Sequence, residues 1–167
     1  MKNLYKNMQL NLLLLVTTNL LQGQINADQK NIKELPLHKI ILSQDYTTQE
    51  KINLIEGFLD DENIDINMQD MDGKTALNLI TFYKGDPLLA ELLIKKYKAN
   101  VNTPDRFNVS PLHNAMEKEE IEIAKMLLDA GADQDLKNDA DEITPVDLAR
   151  SEKTMALPGI EHKNNNN

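Results

Sequence analysis

Cysteine is absent from this 167-residue chain, and its absence excludes several kinds of chemistry. The chain can form no disulfide, no thiolate nucleophile and no zinc–thiolate site, while the redox compartment stays open. Aromatic residues make up only 4% of the sequence. The sequence also contains no glycine-rich phosphate loop, no nucleophile elbow and no HExxH zinc motif. We therefore expect a protein that is not an enzyme and that needs no cofactor.

Basic residues are scarce as well. Lysine and arginine total 18 against 27 aspartates and glutamates, which leaves a net charge of -9. A surface of this sign repels phosphate backbones and anionic lipid, so we expect no nucleic acid among the partners. The hydrophobic fraction of 41% is sufficient for the core of one folded domain. Lysine outnumbers arginine and asparagine is frequent, which indicates the codon bias of an AT-rich genome.

The longest apolar stretch lies in residues 1–27, where two lysines precede an apolar core that includes residues 10–16. This order of features is typical of a secretory signal peptide. The apolar core, about 12 residues long, is shorter than the roughly 20 residues that a membrane span requires. We therefore expect an exported protein, periplasmic or secreted, without a stable membrane span once the signal is removed. The alternative is an amphipathic helix packed on the domain, which Asn11 and Asn19 favour.

Three segments of the chain repeat with a period near 34. Thr75, Ser110 and Thr144 open equivalent segments, at spacings of 35 and 34 residues. In the middle segment, Ser110 suits the cap of a helix and the proline after it suits the first helical position. Gly131 suits the left-handed residue that ends a second helix. The pattern predicts pairs of short helices, repeated along the chain.

The middle segment reads Ser-Pro-Leu-His-Asn-Ala from Ser110 and resembles the ankyrin-repeat family, whose repeat has the signature Thr-Pro-Leu-His-x-Ala. The resemblance implies an all-α ankyrin-repeat solenoid of helix-turn-helix units with short β-turn fingers, in about four repeats with degraded terminal copies. It also implies that His113 ties the turns of neighbouring repeats together through its ring nitrogens. The expected divisions are a signal peptide at 1–27, a repeat domain at 28–159 and a disordered tail at 160–167. Within the domain we expect clear repeats at about 70–102 and 105–137, and partial copies at about 35–67 and 139–157.

The first clear repeat departs from this signature. Ala76, Asn78 and Ile80 replace its proline, histidine and small alanine. This repeat also contains two extra residues and has Lys-Gly-Asp-Pro at 84–87, where a tight turn is usual. We therefore expect a longer loop between its two helices.

The resemblance implies that a partner contacts the turn tips and the inner-helix surface beside them. Although aromatic residues are rare, several fall at these positions, and aromatic and arginine side chains dominate interface energetics. We predict a partner-binding patch made of Met71, Phe82, Tyr83, Arg106, Phe107 and Val109. The alternative for Phe82 and Tyr83 is that they fill a gap under the loop at 85–87.

Metal binding is not expected from the sequence. A calcium loop with Gly73 at its glycine position has Met68 and Leu79 where carboxylates are required, and His38, His113 and His162 lack metal-ligand spacing.

We expect the protein to be a monomer and its partner to be another protein. The alternative function is an accessory or stability factor for a periplasmic enzyme, such as an oxidative-stress protein.

Overall fold

A computed structural model describes residues 36–60, 64–83, 85–158 and 160 of the chain. The predicted signal peptide lies outside the described residues, as does all of the predicted tail except Ile160. All regular structure in the described residues is helical. The described helices include none that is long and apolar enough to cross a membrane.

Three helix pairs follow one another within residues 36–129, as far as the structure describes them. Helix α1 (Pro36–Leu42) pairs with α2 (Thr48–Leu59), α3 (Ala76–Phe82) with α4 (Pro87–Glu91), and α5 (Pro111–Glu117) with α6 (Ile121–Asp129). We call the first helix of each pair inner and the second outer. Inner helices pack on inner helices and outer helices on outer helices, so the pairs form a stack. This is the all-α solenoid that the sequence predicts.

Short polar caps define where the inner helices begin. The Ser110 hydroxyl accepts the backbone N–H of His113, as the sequence predicts, and Thr75 caps α3 in the same way through Asn78. Pro111 occupies the first turn of α5, where a helix has no use for an N–H donor. Each cap satisfies donors that the helix itself cannot pair, which is worth about 1 kcal/mol.

The core is continuous from one helix pair to the next. Leu112, Ala115 and Leu127 are completely buried, and Met126 is half-buried against the core. Full burial of an aliphatic side chain contributes roughly 1.5–3 kcal/mol, which a single helix pair achieves only against its neighbours. The small side chain of Ala115 allows the inner helices to approach closely.

The two extra residues of the first clear repeat lie in two different places. Four residues, 83–86, separate α3 from α4, whereas three residues, 118–120, separate α5 from α6. The second extra residue lies within the outer helix, which continues after α4 as a π-helical turn at Leu92–Lys96. The expected longer loop is therefore present, but it accounts for only one of the two residues.

The last copy is truncated. A 3₁₀ turn at Val146–Leu148 stands where an inner helix would lie, and among the residues that the structure describes beyond it the one helix is the short α7 (Glu152–Met155). Leu157 is buried, and Ile160 is half-buried against the core. The first residue of the predicted tail therefore contributes to the folded domain.

Candidate partner-binding surface

A tight finger-like turn precedes each of α3, α5 and the last 3₁₀ turn, and one polar side chain organises each finger. The Oδ1 atom of Asp105 accepts the backbone N–H groups of Phe107 and Val109, at 2.9 and 3.1 Å. Asp70 accepts those of Asp72 and Lys74 in the same way. In the third finger Asn138 plays this part. Such turns fix the backbone that carries the side chains at the finger tips.

The third finger corrects the alignment of the copies. The sequence pairs Asp139 with Asp105, but the backbone bond that closes the finger joins Asn138 to Ile143, whereas Asp105 bonds to Val109. The third finger is therefore one residue longer, and Glu142 takes the left-handed conformation (φ 53°) that Asn108 adopts in the second finger. An insertion inside a turn lengthens the repeat without showing where the extra residue lies, so the repeat spacing does not locate it.

Neighbouring fingers are hydrogen-bonded to one another in a row. The backbone N–H of Arg106 donates to the carbonyl of Asp72, and that of Asp139 donates to the carbonyl of Phe107, both at 3.0 Å. The finger tips therefore form one continuous edge whose side chains are held at fixed spacing.

A second set of bonds ties each inner helix to the following finger, and this confirms the role expected for His113. Its Nε2 atom donates to the Ile143 carbonyl at 3.0 Å, while Nδ1 accepts the backbone N–H of Ser110. In the repeat before it, the Asn78 amide donates to the Val109 carbonyl at 3.5 Å. Burial lowers the pKa of the His113 imidazole below its usual value, so the ring is neutral at pH 7.

Three of the six predicted residues lie at the tips of the first and second fingers or beside them. Met71 is 67% exposed and Phe107 is 50% exposed. The Arg106 guanidinium lies over the Phe107 ring at 4.7 Å from its centroid and pairs with Asp72 at 2.7 Å. The structure therefore brings Arg106 and Phe107 together as one exposed unit.

Phe82 and Tyr83 form a second unit at the other end of α3, away from the finger that precedes it. Their rings meet edge to face with centroids 4.9 Å apart, and they are 40% and 61% exposed. Neither ring is buried beneath the loop at 85–87, so the gap-filling alternative does not describe them. Both present apolar area to solvent.

Lys74 connects the two units. Its ammonium lies 5.0 Å from the centroid of Phe82 and 3.2 Å from a carboxylate oxygen of Asp105, the residue before Arg106. Both side chains of this ion pair are nearly buried. The pair therefore fixes the position of the ammonium beside the Phe82 ring.

Val109, the sixth predicted residue, is half-buried. Its backbone N–H and carbonyl both bond to Asp105, and its carbonyl also accepts the Asn78 amide. The residue is thus part of the finger framework and offers less surface than the other five.

A groove of about 470 Å³ lies beside Tyr83, between the first and second helix pairs. Leu42, Tyr46 and Tyr83 are exposed on its rim, while Ile80 and Leu89 are buried in its wall. Gly85 also lines it, and a side chain there would collide with the Ile80 backbone, 2.7 Å from the Cβ position. Polar side chains line the groove as well, namely Gln44, Thr48, Lys51 and Asp86, so its surface is mixed in character.

Two lysines that the repeat pattern places at turn-tip and inner-helix positions complete this surface. Lys118 lies with its ammonium 5.8 Å from the Phe82 centroid, and neither it nor Lys74 belongs to the six predicted residues. Asp70 and Asp105 were visible only as aligned acidic residues, without a role. Within the described part of the chain, no group of three or more metal-ligating side chains occurs.

The sequence is similar to a family of known proteins and to parts of two larger proteins. A family model for ankyrin repeats, in three copies, matches residues 14–138, which is 125 of 167 residues. A palmitoyltransferase of Lachancea kluyveri is 38% identical over 76 residues, 46% of this chain and 10% of that protein. Alpha-latrocrustotoxin-Lt1a of Latrodectus tredecimguttatus is 38% identical over 68 residues, 41% of this chain and 5% of the toxin. The chain therefore spans a tenth or less of the curated relatives it matches.

Among solved structures, the ankyrin repeat domain of Bcl-3, a member of the IkappaB protein family, has a similar fold. The two share 26% sequence identity with a TM-score of 0.59. The match covers 65% of this chain and 46% of the other. Ankyrin repeats bind other proteins and are typically not catalytic, and the aligned part of the palmitoyltransferase is too small to transfer its activity.

Proposed function

This chain belongs to the ankyrin-repeat family, and from that premise we propose that it is an exported bacterial module that binds one protein partner. In this proposal the partner contacts the row of finger tips and the exposed surface of α3. The stacked helices hold that surface in place and take no part in chemistry. A fold alone does not fix a function, so the argument depends on the particular residues displayed.

The observation that supports this proposal best is the exposure of rare side chains on one connected surface. The chain has seven aromatic residues, and Phe82, Tyr83 and Phe107 are all at least 40% exposed. Exposed apolar area of this kind stabilises a complex when a partner covers it. Aromatic and arginine anchors frequently contribute about 2 kcal/mol or more to binding. Fixed fingers lower the entropy lost when a partner binds.

Export is the second part of the proposal and depends on residues 1–27. Two lysines followed by an apolar core suit translocation, and the high lysine and asparagine content suits an AT-rich bacterial genome. Fractionation of the native cells, with the mass of the mature chain measured, tests this part. A full-length chain found only in the cytosol would contradict it.

The binding part is tested by replacing Arg106 and Phe107 together with alanine. Because both side chains are exposed, we expect the melting temperature to shift by no more than about 2 °C. We expect capture of the partner from the native envelope or secreted fraction to be lost. A matched control replaces Glu122 and Lys125, exposed on α6, with alanine and should retain the partner. Lost stability with intact binding in the Arg106 and Phe107 variant would refute the proposal.

A further inference from the structure

The third finger carries negative charge that its own cation does not neutralise. Asp139 and Asp141 are exposed at its tip, and among the described residues no lysine or arginine lies within ion-pair distance of either carboxylate. The lysine of this finger, Lys137, pairs with Glu142 at 3.4 Å. Three carboxylates and one ammonium at 137–142 therefore leave an excess of two negative charges.

Phe107 of the second finger lies beside this charge. The backbone N–H of Asp139 donates to the Phe107 carbonyl at 3.0 Å, so the two finger tips adjoin each other. The Phe107 side chain is 50% exposed. The neighbouring Arg106 guanidinium is already engaged, because it pairs with Asp72 at 2.7 Å. The second finger thus adds exposed apolar area to the edge without adding an unpaired positive charge.

The ring and the carboxylates are held in a fixed arrangement. The Asn138 side chain accepts the backbone N–H groups of Asp141 and Ile143, which fixes the third finger as Asp105 fixes the second. The residue between the two acids is Ala140, which is exposed and small, so it leaves both carboxylates accessible. A partner therefore meets a surface that needs no reordering before it binds.

We infer that the partner presents a basic segment to this edge, with lysine or arginine side chains at the third finger. The inference rests on the proposed function and names the chemistry of the partner. A long basic side chain covers the Phe107 ring with its aliphatic part while its charge reaches Asp139 or Asp141. The net charge of -9 attracts a partner of the same sign from a greater distance.

The test is selection of a random peptide display library on the full chain, followed by affinity measurements on the synthesised peptides. We expect the enriched peptides to be rich in Lys and Arg. Asp139→Asn combined with Asp141→Asn should raise their Kd about fivefold at low salt, because exposed ion pairs are individually weak. The difference should shrink in about 0.5 M NaCl, where exposed charges are screened. Phe107→Ala should also raise the Kd.

A matched control separates this edge from the overall charge of the protein. Glu122→Gln combined with Asp129→Asn neutralises two carboxylates that are exposed on α6, so it changes the net charge by the same amount. We expect the Kd of the peptides for this control to stay within a factor of two of the wild type. Equal effects of the two double variants would overturn the inference, since the peptides would then respond to net charge alone.

Other outcomes separate the inference from the proposed function. Acidic or uncharged peptides that lose affinity in Phe107→Ala but not in the Asp139 and Asp141 variant would refute the inference and leave a protein-binding surface in place. A library that yields no peptide would refute it as well, because the inference requires a linear segment. Peptides insensitive both to Phe107→Ala and to the Asp139 and Asp141 variant would count against both.

Discussion

At the residue scale, His113 shows how one side chain holds two repeats together. Its Nδ1 accepts from the Ser110 cap and its Nε2 donates to the Ile143 carbonyl of the next finger. Asn78 makes the equivalent bonds with its amide, accepting at Oδ1 from Thr75 and donating to Val109. The family resemblance suffices to predict this bridge for His113. It does not predict it for Asn78, because only the geometry shows that an amide spans the same two groups.

We predict that His113 makes the stability of the protein depend on pH. Its pKa is lowered in the folded state from the usual 6.5, so the unfolded chain binds more protons below that value. The stabilising contribution is therefore complete above about pH 6.5 and is lost as the pH falls below it. Urea unfolding at pH 7.5 and 5.5 measures this loss. The His113→Asn variant, which copies Asn78, should fold and lose less stability over that interval than the wild type. An identical loss in both would show that His113 contributes nothing to the pH dependence.

At the element scale, two of the outer helices end at a residue in the left-handed conformation, and this residue is a glycine in one repeat and a lysine in the other. Gly131 has φ 87° and Lys98 has φ 55° at the equivalent position, and in each case the next N–H closes the helix end. Glycine takes this conformation without strain, whereas a residue with a Cβ does so at a cost of about 1 kcal/mol. In the sequence, the outer helix of the first clear repeat ends at Tyr97-Lys98-Ala99, without the glycine that Gly131 supplies in the next repeat. Without a glycine, however, the sequence did not show that a lysine would take the same strained conformation.

We predict that Lys98→Gly stabilises the protein by about 0.5–1 kcal/mol, because it removes that strain. Gly131→Ala is the reciprocal change and should destabilise by about 1 kcal/mol. No atom lies within 4 Å of the Cβ it would add, so backbone conformation alone is tested. Denaturant unfolding of both variants measures the two changes. A Lys98→Gly variant less stable than the wild type would contradict this account of the helix end.

The helix boundaries show what sequence patterns can and cannot fix. In the first partial copy the apolar spacing predicts an outer helix from Gln49 to Asp60, and the structure has it at Thr48–Leu59, because the cap at Thr47 sets its start. Hydrophobic spacing and caps define such helices well. The π-helical turn at Leu92–Lys96 was not predicted, since an extra residue in a helix and one in a loop lengthen a repeat equally. For the same reason, the repeat length does not show that the third finger contains an additional residue.

At the scale of the whole molecule, stability and binding are assigned to different surfaces. Leu77, Leu93, Leu112 and Leu127 are buried between stacked helices, while Met71, Arg106 and Phe107 project from the row of fingers. Five of the six residues predicted for binding offer substantial exposed surface: Met71, Arg106 and Phe107 on the hydrogen-bonded fingers, and Phe82 and Tyr83 at the C-terminal end of α3. The link between the Arg106–Phe107 unit and the Phe82–Tyr83 unit is made by Lys74, which contacts Phe82 and pairs with Asp105 of the next repeat. Repeat spacing alone does not specify those contacts.

The most direct test of this division is site-specific photo-crosslinking in the native cells. A photoreactive phenylalanine analogue is placed at Phe107, at Tyr83, or at Lys125 on the outer helix α6. All three positions are exposed, so the folded chain tolerates each replacement equally. We predict that positions 107 and 83 form an adduct with the same partner protein and that position 125 forms none. Adducts from position 125 alone, or equally from all three positions, would contradict the assignment of binding to the fingers and α3.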